Sequence, residues 1–301
     1  MQSALPGAVV VNGDDLRRFH PAYEQTMSDD PFRMPEVTAT AAGAWVGMST
    51  EYLRGVGASA IVETTLRNEA ISRGVDPERI TLVPNAVSLS QSEGEESVLL
   101  PQARSVLGES TVVGYIGSLR DIEGVDQTAE AVATLISKGI DVKLFVLSSE
   151  AGQEELQAHC NRLGIGEHTL IMGPVPHEQV TPFYDLINVF VVSRPDTRVT
   201  RLVTPLKPFE AMGTGKVLIT SDVAALAEIV DDGVTGILHR KDDVVHLAEK
   251  LSEAIQDEEL RNRIGTQARE WVCETHSWDV IASKVMDVYN QLSDYQSDDV
   301  D

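Results

Sequence analysis

Short runs of consecutive apolar residues alternate along this chain with longer stretches in which apolar residues recur every three or four positions. The runs read as strands buried on both faces, and the spaced stretches as helices with one apolar stripe, because side chains repeat with period 2 in a strand and 3.6 in a helix. Thr111–Ile116, Asp141–Leu147, Thr169–Met172, Val189–Val192 and Val217–Thr220 are strand runs. Between them, Val125, Ala129, Val132 and Ile136 form one helical stripe, and helices are expected from Glu154 to Leu163, Glu178 to Tyr184 and Ala224 to Val230. Regular alternation of this kind predicts an α/β protein with a doubly wound parallel sheet, and the lack of a fixed-period repeat excludes a solenoid.

Upstream the pattern is sparser. Ala58–Val62 and Ile80–Val83 read as strands flanking a helix from Thr65 to Arg73 that Gly74 closes. Ala8–Val11 suits a strand and Asn12-Gly13-Asp14 a turn, whereas Pro6, Pro21, Pro31 and Pro35 interrupt any longer pattern. Residues 1–87 therefore read as an abbreviated Rossmann-like half, since a full one takes roughly 100–150 residues. Residues 88–103, with the acidic Ser90 to Ser97, read as a linker, 104–285 as a complete second Rossmann-like domain, and 286–301 as a helix end and acidic tail. Trp278, Ile281, Val285, Val288 and Leu292 fall on one face of that last helix, and Ser293 to Asp301 should fray.

Composition narrows the function. The 301 residues carry 47 Asp and Glu against 24 Lys and Arg, a formal charge of −23. No basic field exists to displace counterions from a phosphate backbone, so nucleic acid is excluded as a partner. Such acidity fits adaptation to high salt, where screening removes self-repulsion, and equally fits an ordinary acidic cytosolic protein. Cys160 and Cys273, far apart and outside any ligand cluster, point to a reducing compartment. No apolar run reaches the roughly 18 residues needed to span a bilayer and the N-terminus has no signal-peptide pattern, so a cytoplasmic location is expected.

The chemistry concentrates between Val203 and Asp222. Thr204 suits an N-cap, Pro205 the first helical position, and Pro208 the first turn. Lys207 and Glu210 then share one face of that turn, beside N–H groups lacking intrahelical partners. Such a turn attracts phosphate, and the Glu210 carboxylate offers two acceptors to vicinal hydroxyls, so together they suit a nucleotide. The same pair also reads as a solvated helix start. Met212 to Val217 fails as a phosphate-binding Walker loop because Val217 replaces the required Ser or Thr. No G-x-G-x-x-G follows a strand, and the seven histidines have no metal-ligand spacing, so neither a nicotinamide cofactor nor a metal is expected.

Thr-Pro-Leu-Lys-Pro-Phe-Glu-Ala-Met at 204–212, Gly-Lys-Val-Leu-Ile-Thr-Ser-Asp at 215–222 and Ala-Glu-Ile-Val-Asp-Asp-Gly-Val-Thr-Gly at 227–236 resemble the donor-site signature of the family 4 glycosyltransferases. The resemblance runs from about Ile61 to Tyr289 and implies a GT-B fold, two Rossmann-like halves with parallel sheets, here with a short N-terminal half. It implies retaining transfer of a hexose from a nucleotide diphosphate sugar, with no cofactor, to a glycan or lipid-linked acceptor in cell-surface polysaccharide or glycoconjugate synthesis. Glu210 would then bind ribose hydroxyls, Lys207 and the turn amides of Thr204 and Gly117 the diphosphate, and the Val175 loop the base edge. Ser118, Arg120 and Leu206 complete the implied donor site. Ser118 and Glu123 stand where many relatives have arginine and lysine, so Arg194, Arg198 and Arg201 are candidates for the missing positive charge. Leu202 replaces a second glutamate common in the family, leaving donor-sugar contacts and the catalytic residues unassigned. His20 does not match the family's N-terminal histidine motif and reads as a surface or packing residue. Lipid-linked acceptors are compatible with peripheral contact at the inner membrane face, although the chain's acidity argues against simple attraction to anionic lipid, and the short first half leaves room for a partner chain or missing upstream sequence to complete the acceptor side. The alternative is a non-catalytic glycosyltransferase-like subunit that binds nucleotide or a partner protein.

Overall fold

A computed structural model describes residues 8–9, 58–61, 64–72, 74–88 and 97–297. It divides into two compact units, one of Met1–Val87, Arg201–Leu206 and Thr275–Asp301, the other of Ser88–Thr200 and Lys207–Glu274.

In the first unit, β1 (Ala8–Val9), β2 (Ala58–Ile61) and β3 (Ile80–Leu82) pair in that order and all in parallel, with Ala60 opposite Thr81. Helix α1 (Thr64–Ser72) connects β2 to β3, and its Leu66 and Ala70 pack with Val75 and Ile80 into a small core.

The second unit carries the larger sheet. Helix α2 (Leu99–Leu107) leads into β4 (Thr111–Ile116), α3 (Val125–Ser137), β5 (Val142–Leu147), α4 (Gln153–Arg162) and β6 (Thr169–Met172). The chain continues through α5 (Thr181–Tyr184), β7 (Val189–Val192), α6 (Arg198–Leu202), α7 (Lys207–Gly213), β8 (Val217–Ser221), α8 (Ala224–Ala227) and β9 (Ile237–His239). The strands lie in the order β6-β5-β4-β7-β8-β9, all parallel. Every residue of β7 and β8 is buried, as expected for central strands covered on both faces. Strand order reverses between β4 and β7, and in such sheets the crevice beyond the carboxyl ends of those two strands receives ligands.

Two long helices follow, α9 (Val244–Gln256) and α10 (Glu258–Thr275), and the described chain closes with α11 (Trp278–Ser297). Asp243 caps α9 by accepting from the His246 amide at 2.9 Å, and α9 buries Leu247, Leu251 and Ala254 on one stripe.

Several expectations change. Leu99 to Ala103 are helix, not linker, because Leu100, Ala103 and Leu107 form an apolar face that is fully buried. The Val203 block begins its helix at Lys207 rather than after Thr204, which puts Pro208 at the second helical position, where it still forfeits no helical hydrogen bond. The tail remains helical to Ser297 instead of fraying from Ser293. Its expected apolar face is broken at the start, since Ile281 is buried while Trp278 is 62% exposed.

Candidate functional site

The reversal point is built around a glycine. Gly124 has φ +68° at the start of α3, and a Cβ there would collide with the Ser193 carbonyl at the end of β7. Only glycine permits this approach. It brings the short 3-10 turn Asp121–Glu123 beside Ser193-Arg194. The Arg194 guanidinium consequently donates to both oxygens of Glu123, Nε to Oε2 at 3.1 Å and Nη2 to Oε1 at 2.8 Å, with both residues buried. Nearby, Ser193 Oγ donates to Gln127 Oε1 at 3.3 Å and Ser221 Oγ donates to the Arg194 carbonyl at 2.7 Å, tying β7 to α3 and β8. Tyr115, on β4, donates to the Ser118 carbonyl at 3.1 Å. Burial first, and then the Glu123 charge, push the Tyr115 phenol well above its ordinary value, so it remains a donor.

A second cluster sits on α7. This helix lies on the connection from β7 to β8, both pointing the same way, so its first residue emerges on the carboxyl edge of the sheet. Lys207 and Glu210 do share the first turn, as their spacing predicts, and pair at 2.8 Å with each about a quarter exposed. The Tyr184 hydroxyl, from the end of α5, donates to the same carboxylate oxygen, Oε2, at 2.7 Å. Glu210 Oε1 accepts from none of the described residues. Tyr184 is buried and its ring stacks on Phe190 at 5.4 Å. Burial and the neighbouring Glu210 charge hold its phenol well above the usual range, so it stays protonated.

The other sequence candidates are placed as follows. Gly117 and Ser118 follow β4 at the reversal point, with Ser118 and Arg120 exposed. The Gly117 amide donates to the Leu147 carbonyl at 3.0 Å, so the N–H expected to hold a phosphate is already engaged in the sheet. Val175 lies half-buried in the loop after β6, on the same carboxyl edge. Arg198 opens α6 on the surface. Arg201, Thr204 and Leu206 belong to the first unit, where Thr204 is buried. Arg194 does not supply phosphate-binding charge, because its guanidinium is held inside by Glu123. His20 lies outside the described residues. Tyr184, Tyr115 and the Glu123–Arg194 pairing were missed by the sequence reading. No spacing rule links residues 26 or 71 positions apart, and the one local hint was a glycine directly after Glu123.

Among the described residues no cluster of three or more His, Cys, Asp or Glu side chains is arranged to hold a metal ion. No helix there is long and apolar enough to cross a membrane. A cleft of about 600 Å³ bordered by Glu228, Trp271 and Glu270 shares no residue with either cluster.

Residues 101–271 match the family model of the glycosyl transferases group 1, and residues 1–75 match that of the Zeta toxin. The chain is 24% identical over 234 residues to the capsular polysaccharide biosynthesis glycosyltransferase CapM of Staphylococcus aureus, covering 76% of this chain and 60% of CapM. A glycosyltransferase structure from Rickettsia africae superimposes with a TM-score of 0.70 over 81% of this chain and 66% of that one, at 13% identity. The Anabaena protein HepE, solved with UDP-glucose, gives a TM-score of 0.64 over 82% of this chain and 68% of its own, at 17% identity. These likenesses show the fold to be of the GT-B type. The chain spans about half to three-fifths of the length of the curated relatives it matches.

Proposed function

The chain belongs to the glycosyl transferases group 1 family, and on that premise we propose that it moves a hexose from a nucleotide diphosphate sugar to a glycan or lipid-linked acceptor with retention, in cell-surface polysaccharide synthesis. The single observation that carries the reading is the state of Glu210 at the carboxyl edge of the parallel sheet. One oxygen is held by Lys207 and Tyr184, and the other is left to accept from ribose hydroxyls. Lys207 then stands beside the diphosphate as a positive charge. Arg198, exposed at the start of α6 in the same unit, is a further candidate for charge near it, and Arg194 pairs with Glu123.

In the transfer, the anomeric carbon exchanges its bond to the diphosphate oxygen for one to the acceptor oxygen on the same face. The acceptor proton leaves with the diphosphate, so the step needs no carboxylate at Leu202. The ion pairs also favour a second reading. With Arg194 neutralised by Glu123 and Lys207 by Glu210, the site has little surplus positive charge, which suits a nucleotide-binding subunit that does not turn over.

Calorimetry of the full chain with UDP and GDP, followed by a screen for sugar-nucleotide hydrolysis, tests both. Binding with turnover supports the transferase, binding without turnover supports the subunit, and no binding overturns the donor site altogether.

A further inference from the structure

A glutamate has three side-chain torsions, and a partly exposed one samples many orientations unless something outside its own helix fixes it. Lys207 alone is a weak fixture. It sits one turn away on a flexible stem, about a quarter exposed, and pairs of that kind contribute little. Tyr184 differs on each count. It comes from a different element, is 3% exposed, and has its ring held by stacking on Phe190 of the central strand β7. Its hydroxyl reaches Glu210 Oε2 at 2.7 Å, a short bond from a neutral donor to a charged acceptor. Two donors on one oxygen set the rotation of the carboxylate and turn Oε1 away from both.

We propose that Tyr184 is a positioning residue for diol recognition: it locks the Glu210 carboxylate so that Oε1 alone receives the vicinal hydroxyls of the ribose, and preference for ribose over deoxyribose depends on it. The inference rests on the reading of Glu210 as the ribose ligand given above. Tyr184 never touches the substrate. Its effect is to spare the nucleotide the cost of ordering the glutamate, which is the ordinary advantage of a preorganised site.

The test uses the full chain and whichever of UDP and GDP binds more tightly, with the dideoxyribose form of the same nucleotide as comparison. Tyr184→Phe keeps the stacked ring and removes only the hydroxyl from a partner that water already reaches, so it folds. In the wild-type protein the ribose form binds at least about tenfold more tightly than the dideoxy form. Tyr184→Phe is expected to lower that ratio roughly three- to tenfold while leaving the dideoxy affinity within about twofold, the scale of one hydrogen bond. Glu210→Gln should abolish the preference, and adding Tyr184→Phe to it should change nothing more. If the wild-type protein shows no ribose preference, or Glu210→Gln retains it, the ribose reading falls and this inference with it. A wild-type preference that Glu210→Gln removes and Tyr184→Phe leaves intact overturns the positioning role alone. Equal weakening of both nucleotides by Tyr184→Phe assigns Tyr184 a structural role and likewise overturns it.

Discussion

Arg194 and Glu123 meet 71 residues apart in sequence as a two-pronged ion pair, 5% and 8% exposed respectively, at the point where the strand order of the large sheet reverses. Both charges have given up their hydration, and each is tolerable only because of the other. The pair converts what reads as a deficit of phosphate-binding charge into a structural clamp between the turn after β4 and the end of β7.

Removing one partner should therefore cost more than removing both. Glu123→Gln or Arg194→Met alone is expected to lower unfolding free energy by about 3–5 kcal/mol, because a buried charge is left uncompensated, whereas Glu123→Leu with Arg194→Met should cost less than either. Urea titrations of the three variants measure this. Single-variant losses below about 1 kcal/mol would show that the pair is solvated.

Lys207 and Glu210 lie in the first turn of α7 and pair at 2.8 Å. We predict that Lys207→Ala and Glu210→Gln each weaken nucleoside diphosphate binding by about 1.5–3 kcal/mol, the range for hydrogen bonds to charged groups. Calorimetry on the folded variants decides it. Affinities within a factor of two of wild type in both would remove these residues from the donor site.

His239 is 1% exposed at the end of β9, with Nδ1 at 2.8 Å from the Arg240 carbonyl and Nε2 buried without a hydrogen-bond partner among the described residues. Burial lowers its pKa from 6.5 to about 4. The unfolded chain thus takes up the proton first as pH falls, so stability is fully present above pH ~6.5 and is lost progressively down to pH ~4, by up to about 3 kcal/mol. His276, lowered to about 4 by burial as well, acts in the same direction. Urea midpoints from pH 7 to 4.5 should fall less steeply for His239→Leu than for wild type, and parallel slopes would rule out this contribution.

The formal charge of −23 repels itself in the folded chain. Added salt shortens the screening length to about 10 Å at 0.1 M and roughly 3 Å at 1 M, so the melting temperature is predicted to rise between 0.05 and 2 M KCl. Thermal melts across that range measure it, and a flat or falling curve would dispose of salt adaptation.

Much of the second unit was legible from the order of residues. The Thr111–Ile116 and Val189–Val192 strands match their apolar runs to the residue, because a central strand covered on both faces has few polar positions to blur its ends; the edge strand Thr169–Met172 matches as well, although three of its four residues are only half-buried. Lys207 and Glu210 were equally legible, since helical geometry alone puts residues three apart on one face. Strand β9 was not, being three residues whose pairing is supplied by β8. Nor was α2, whose acidic upstream neighbours masked its buried face.

What the sequence determined by itself is everything that depends on near neighbours: the alternation of strand and helix, the parallel class, and the charge pair on α7. Only the tertiary structure decided which charges remain for a ligand. Arg194 counts as phosphate-binding charge along the chain, yet Gly124 admits Glu123 to it and withdraws it. Glu210 counts as a mobile surface carboxylate, yet Tyr184 arrives from α5 and orients it. Both outcomes turn on close approaches between segments distant in sequence, and burial, which sets the worth of a charge, is a property of such approaches and not of order along the chain.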